Sequence, residues 1–170
     1  IALCRFSIAV NRNYSGSDGE RQTDFFNIIV WRTQAENCGR YLKKGSKVAV
    51  LSVGPIGNTV MKAVESLGTD ASEVGVYDMR FIKPLDTELL DEVFKNYKSI
   101  VTVEDGSLNG GFGSAVLEYM ADSGYSLPVK RIGIPDNFVE HGTPAELYQM
   151  LGMDVEGIAE TLKVVFKNIE

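Results

Sequence analysis

Hydrophobic and polar positions follow two different rhythms along this chain. In residues 2–10, ALCRFSIAV, the positions Cys4, Phe6, Ile8 and Val10 alternate with Leu3, Arg5, Ser7 and Ala9. Period two with one apolar side is the signature of a half-buried strand. The polar, turn-rich stretch NRNYSGSDGERQTD follows, with Asp18-Gly19 as its turn signal. FFNIIVW, residues 25–31, is aromatic and β-branched and predicts a second strand. RTQAENCGRYLKKG then predicts a short helix stopped by basic residues and Gly45. The front of the chain is thus expected to be a β-hairpin and a helix, with an apolar face (Phe6, Ile8, Val10, Ile28, Val30) that requires burial.

From residue 47 the rhythm becomes strand–helix alternation. KVAVLSV is nearly continuously apolar, as expected of a strand covered on both faces. After a Pro55/Gly57 turn, Val60, Met61, Val64 and Leu67 recur at helical spacing. EVGVYDM, SIVTVE and VKRIGI predict three more strands. Between them PLDTELLDEVFKNY predicts a helix capped by Asp86, with Leu89, Leu90, Val93, Phe94 and Tyr97 turned inward. GGFGSAVLEYMADSG predicts another, with Val116, Leu117 and Met120 inward. TPAELYQMLG carries Thr143 as N-cap, Pro144 at N1, Glu146 closing a capping box and Gly152 past the end. Asp154 caps a last amphipathic helix through Val155, Ile158, Leu162 and Val165. Repeated β-α units imply an α/β fold, a mostly parallel open sheet with helices on both faces. The expected organisation is a small module at 1–46 and an α/β domain at 47–170, with KKGS as the joint.

Charge sharpens that division. The chain carries a net −6, but residues 1–46 carry +3 and residues 47–170 carry −9. Such asymmetry points to different partners for the two parts. No apolar run is long enough to span a membrane, and Arg5 and Arg12 interrupt any signal-peptide pattern. Cys4 and Cys38 do not form a disulfide framework or a CxxC pair, and one histidine makes a zinc site improbable. The expected location is cytoplasmic, with free thiols. Residue 1 is Ile, so the sequence is expected to be processed or part of something longer.

Three places carry candidate chemistry. GSLNGGFGS, residues 106–114, lies between a strand and a helix, where backbone amides can hold a phosphate. It lacks the Lys-Ser/Thr of a P-loop and the Rossmann spacing, so tight strand–helix packing around Gly110, Gly111 and Gly113 competes with that reading. Asp78, Arg80 and Lys83 follow a strand's carboxyl end, where α/β sheets place ligands; the structural alternative is an ion pair plus a helix cap. His141, in VEHGTP, has no Ser or Cys motif beside it and reads as a turn residue before it reads as a base.

Taken in order, KVAVLSVGPIGN, YDMRFIKPLD, VTVEDGSLNGGFGSAVLEYM and IGIPDNFVEHGTPAELYQMLGMD closely resemble the C-terminal domain of 1-deoxy-D-xylulose-5-phosphate synthase, a transketolase relative, over about residues 42–168. The resemblance implies a thiamine-diphosphate- and Mg²⁺-dependent enzyme that condenses pyruvate with glyceraldehyde 3-phosphate for isoprenoid synthesis. It also implies that the cofactor site, the activating glutamate and a substrate-binding YPRG arginine lie in domains that precede this one. No GDG…N or YPRG motif occurs here. No catalytic, cofactor or metal residue is therefore carried over, and the chain is expected to be inactive alone. Asp78, Arg80, Lys83, Glu104, Gly110, Gly111, Gly113 and His141 are family motif positions of unassigned role. The expected partners are another copy or the missing enzyme domains.

The front segment, RFSIAVNRNYSGSDGERQTDFFNIIVWRTQAENCGRYLKKGSKVAV, resembles the middle of a bacterial single-stranded DNA-binding protein, an OB-fold. By position Tyr14, Phe25 and Trp31 match that family's base-stacking aromatics, and Arg12, Arg21 and Arg32 lie near enough in sequence to meet phosphates. The resemblance is to an incomplete barrel, so burial of these aromatics against other parts of the protein is the competing expectation. KGSKVAV fits both families, and the chain reads as a chimera joined within residues 40–50. Recombination, rearrangement and misassembly all remain open as its origin. Weak single-stranded DNA binding, or no native function, are the alternatives to the synthase reading.

Overall fold

The computed structural model describes residues 3–15, 21–31 and 47–169. The chain divides into two compact units, Ile1–Leu42 and Lys43–Glu170.

In the first unit, β1 (Leu3–Ser15) and β2 (Arg21–Trp31) form an antiparallel pair. The register runs from Leu3 opposite Trp31 to Asn11 opposite Thr23, then shifts before Ser15 meets Arg21. Both strands are longer than the apolar patterns at 2–10 and 25–31 predict, because a hydrogen-bond ladder is made by the backbone and continues through polar positions. The helix expected over 32–45 and the Asp18-Gly19 turn lie outside the described residues, as does Cys38.

The second unit is the expected α/β domain. Its strands are β3 (Val48–Val53), β4 (Val74–Asp78), β5 (Ser99–Ser107) and β6 (Val129–Ile134). They form one parallel sheet in the order β4-β3-β5-β6. Central β3 is buried on both sides, with Val48, Ala49, Val50 and Leu51 all at 0% exposure, which is why its sequence does not alternate. The helices are α1 (Gly57–Ser66), α2 (Thr87–Asn96), α3 (Phe112–Asp122), α4 (Pro144–Met150) and α5 (Val155–Lys167). On one face, Ala49, Leu51 and Ile100 pack with Leu90, Val93 and Phe94 of α2 and with Phe112, Val116 and Met120 of α3. Phe94 stacks at a tilt on Tyr125, with ring centroids 5.1 Å apart. Alternation along the strands turns Val48, Val50, Val101 and Val103 to the other face. There α1 and α5 pack together, burying Val60, Ala63 and Val64 against Ile158, Leu162 and Val165. Each such Leu, Ile or Phe contributes roughly 1.5–3 kcal/mol on leaving water.

The helix starts follow their sequence signals. Asp86 accepts a hydrogen bond from the Leu89 N–H at 3.0 Å, and Asp154 accepts one from the Gly157 N–H at 2.9 Å. The capping box of α4 forms in full: the Thr143 hydroxyl accepts from the Glu146 N–H, and the Glu146 carboxylate accepts from the Thr143 N–H at 2.8 Å. Those bonds hold the Glu146 carboxyl below the ordinary glutamate range, the backbone N–H of Thr143 contributing most. Gly68–Glu73, to which the sequence pattern assigns no element, forms a 3₁₀ helix entered through Gly68 at φ 63°. One feature differs from expectation. Strand β5 runs on through Asp105, Gly106 and Ser107, because Ser107 pairs with Ile134 of β6 beyond an irregularity in the register. The sequence pattern ends at Glu104 because the pairing partner lies on another strand.

Candidate functional site

All four strands of the sheet run the same way, so their carboxyl ends gather four loops at one edge: 54–56, 79–86, 108–111 and 135–143. The chain passes from β3 to β4 on one side, then back to β5 on the other. The reversal lies between β3 and β5, and crevices at such reversals are where open α/β sheets bind ligands.

Glu104 sits at that point, level with Val53 of β3. It is a buried carboxylate, 3% exposed, at the last of the six buried positions that open β5. It accepts hydrogen bonds from the N–H of Phe112 at 2.6 Å and of Gly113 at 2.9 Å. These are the free amides of the first turn of α3, whose N-cap Gly111 has no side chain to offer. Glu104 thus caps a helix that begins eight residues later, and its charge meets the positive end of the helix dipole. A Cβ on Gly111 would run into the Ser107 carbonyl oxygen and the Glu104 carboxylate. A Cβ on Gly113 would lie 2.6 Å from the Thr102 hydroxyl and 2.9 Å from Cδ of Arg131. These glycines therefore serve close packing. Gly110, at φ 72°, supplies the left-handed turn before them.

The rest of the loop is pinned from β6. Arg131 lies opposite Thr102 and donates through Nη1 to the Leu108 carbonyl at 2.6 Å and to the Ser114 hydroxyl at 3.0 Å. Ser114 in turn donates to Leu108 at 2.8 Å and accepts from the Gly110 N–H at 3.1 Å. From the other side, Tyr148 of α4 donates to the Asp105 carboxylate at 2.5 Å, which raises the Tyr148 phenol above its ordinary range. Helix α4 has no buried residue of its own, so this contact is one of its attachments to the sheet edge. Arg131, Ser114, Asp105 and Tyr148 were not singled out from the sequence. Of these, only Arg131, a cation inside the apolar strand VKRIGI, gave a readable signal.

Asp78 ends β4, and its carboxylate accepts from the Arg80 N–H at 3.2 Å and stands 4.0 Å from Nε of Arg80. Both side chains are exposed. Arg80 has φ 48°, a left-handed conformation that costs a non-glycine residue roughly 1–2 kcal/mol. Lys83 lies further along the same loop and is exposed. A depression of about 510 Å³ opens beside them, lined by Met79, Phe81, Pro84, Leu85 and Leu89 among others. His141 is exposed in the 135–143 loop, well removed in the strand order from Asp78, since β6 and β4 are opposite edges of the sheet. The motif positions therefore divide among separate loops and do not converge on one reacting centre. The side chains of Arg12, Tyr14, Arg21, Phe25, Trp31 and Arg32 lie outside the described residues, although all but Arg32 fall on β1 or β2.

A family model for the transketolase C-terminal domain matches residues 38–158. The chain belongs to the transketolase C-terminal domain family. Over 137 residues it is 53% identical to the 1-deoxy-D-xylulose-5-phosphate synthase of Parabacteroides distasonis, across 78% of this chain and 22% of that protein. The same enzyme of Cytophaga hutchinsonii is 50% identical over 137 residues, again across 78% and 22%. A solved structure described as a split gene transketolase, inactive beta4 tetramer, superimposes with a TM-score of 0.67 at 30% identity, covering 76% of this chain and 42% of that one. The chain spans 22% of the length of those synthases.

Thiamine diphosphate with Mg²⁺ needs oxygen ligands gathered around the metal and free N–H groups facing the diphosphate. Among the described residues, no three His, Cys, Asp or Glu side chains are grouped to hold a metal ion. The α3 amino end, the place at the reversal suited to a phosphate, is filled by the Glu104 carboxylate, which would repel an anion. The described residues of this family member do not fit the cofactor. Among them, no helix is long and apolar enough to cross a membrane.

Proposed function

We propose that residues 47–170 are the C-terminal domain of a thiamine-diphosphate-dependent 1-deoxy-D-xylulose-5-phosphate synthase, acting as an assembly surface and not as a reaction centre. The observation that carries this reading is the 53% identity, over 137 residues, to a synthase of which this chain covers 22%. The locked glycine loop supports it: every arm of that loop is engaged by Glu104, Arg131 or Ser114, which suits a rigid platform. The chain alone is then inactive, and its partners are the preceding synthase domains, in an oligomer of the kind described for the transketolase neighbour.

The test is an assay with thiamine diphosphate, Mg²⁺, pyruvate and glyceraldehyde 3-phosphate. The 170-residue chain is assayed alone, and then with a P. distasonis synthase lacking its own transketolase C-terminal domain. No turnover alone and recovery of turnover in the mixture is the expected result. Cofactor-dependent turnover by the chain alone would overturn the reading.

A second reading concerns residues 1–46. The antiparallel pair β1–β2 supports an OB-derived fragment that binds single-stranded DNA weakly, since Tyr14, Phe25 and Trp31 all fall on its strands. In that case the chain is a chimera of two proteins.

A further inference from the structure

We propose that the 79–86 loop, at the carboxyl end of β4, is the docking ridge through which this domain binds the preceding domains of a longer synthase. The inference rests on the synthase reading above and names the surface that reading leaves unassigned.

Large apolar side chains at this loop face water. Phe81 is 68% exposed and Ile82 is 40% exposed. They are consecutive, and the depression lined by Phe81, Pro84, Leu85 and Leu89 opens beside them. A projecting aromatic next to a pocket is the arrangement that dominates binding energy at protein interfaces. The loop is also held in one shape. Met79 roots it in the core at 3% exposure, the Asp78 carboxylate accepts from the Arg80 N–H, and the Phe81 N–H reaches back to the Met79 carbonyl. Arg80 is kept at positive φ by this framework. A residue held in a sparsely populated conformation is characteristic of functional segments, and a preformed loop loses little freedom on binding.

The occupant follows from what lies outside this chain. The synthases that it matches are several times longer, since it covers 22% of them. Their remaining domains are the natural cover for an apolar ridge on this one. The loop carries charges of both signs, with Asp78 turned to Arg80 and Asp86 engaged as the α2 cap, so Lys83 is left to meet a carboxylate at the rim. The occupant surface therefore presents an apolar side chain to the depression and an acid to Lys83.

The experiment measures binding of the full 170-residue chain to the truncated P. distasonis synthase by calorimetry. Phe81→Asp is expected to weaken binding at least about tenfold, as loss of an aromatic anchor does, and Ile82→Lys several-fold. Val164→Asp is the control: Val164 is 47% exposed on α5, in a groove with Ser99 and Lys130 away from this loop. Far-UV circular dichroism and cooperative thermal unfolding check that the truncated synthase and each variant fold before binding is read, and the two loop substitutions are independent of each other. Tight binding by the unaltered chain that neither loop substitution changes overturns the ridge and leaves the synthase reading standing. Loss of binding only with Val164→Asp moves the interface to the α5 groove and overturns the ridge too. Failure of the unaltered chain to bind overturns the synthase reading, and the ridge falls with it. Self-association of the chain that Phe81→Asp abolishes would assign the ridge to a second copy and overturn the occupant named here.

Discussion

The Glu104 carboxylate lies 2.6 Å from the Phe112 amide nitrogen and does for α3 what a capping side chain at Gly111 would do. Strand β5 and helix α3 are thereby joined by a buried, charge-assisted hydrogen bond across the glycine loop. The place where related sheets hold ligands is here a structural joint.

Substituting that joint has a definite direction. Glu104→Gln keeps one acceptor for two amides and is expected to cost about 1.5–3 kcal/mol. Gly111→Ala forces a methyl group toward the Ser107 carbonyl and is expected to cost about 1–3 kcal/mol. Urea unfolding followed by circular dichroism reads both. An unchanged midpoint in Glu104→Gln would contradict the capping role.

Thr102 supplies a prediction of the opposite sign. Its hydroxyl is buried and makes no hydrogen bond among the described residues. Thr102→Val keeps the shape and removes the unpaired oxygen, so it is expected to stabilise the domain by about 1 kcal/mol. The same unfolding experiment checks it, and destabilisation would mean that the oxygen has a partner.

Glu146 gives a pH dependence. Its folded carboxyl titrates below its unfolded value, which is about 4.3. A depressed carboxyl contributes stability that is present above the unfolded value and lost as the pH falls through the folded one. Thermal unfolding of the parent and Glu146→Gln is therefore expected to differ at neutral pH and to converge in strong acid. A gap that stays constant from pH 7 into strong acid would count against the capping box as its source.

The DNA reading of the N-terminal unit is tested through Trp31, the single tryptophan of the chain. Base stacking predicts that oligo-dT quenches its fluorescence, and that the quenching weakens steeply with salt. A flat response at low and high salt, with blue-shifted emission, would place Trp31 in a packed environment and remove this reading.

Much of the second unit was legible from residues 47 to 169. A continuous apolar run marked β3, strand-forming composition marked β4, β5 and β6, helical spacing marked α1, α2, α3 and α5, and Asp86, Thr143 and Asp154 marked the starts of α2, α4 and α5. These signals are local, arising from side-chain periodicity and from caps within three residues of the amides they satisfy. The site was legible only as a set of motif positions. Glu104 could be named but its task could not, because its partners are eight and nine residues away across a turn. Arg131 and Tyr148 reach Leu108 and Asp105 across 23 and 43 residues, beyond any periodic signal.

The sequence by itself determined that strands and helices alternate, that the sheet is mostly parallel with helices on both faces, and which stripe of each amphipathic helix turns inward, since burial and backbone hydrogen bonding impose those patterns locally. Only the tertiary structure decided that β5 extends to Ser107, that the glycine loop closes on a carboxylate of its own chain, and that Phe81 and Ile82 stand in water at the edge of β4. Each of these depends on which strands become neighbours and how their loops meet in space, and neither is encoded in the residues adjacent along the chain.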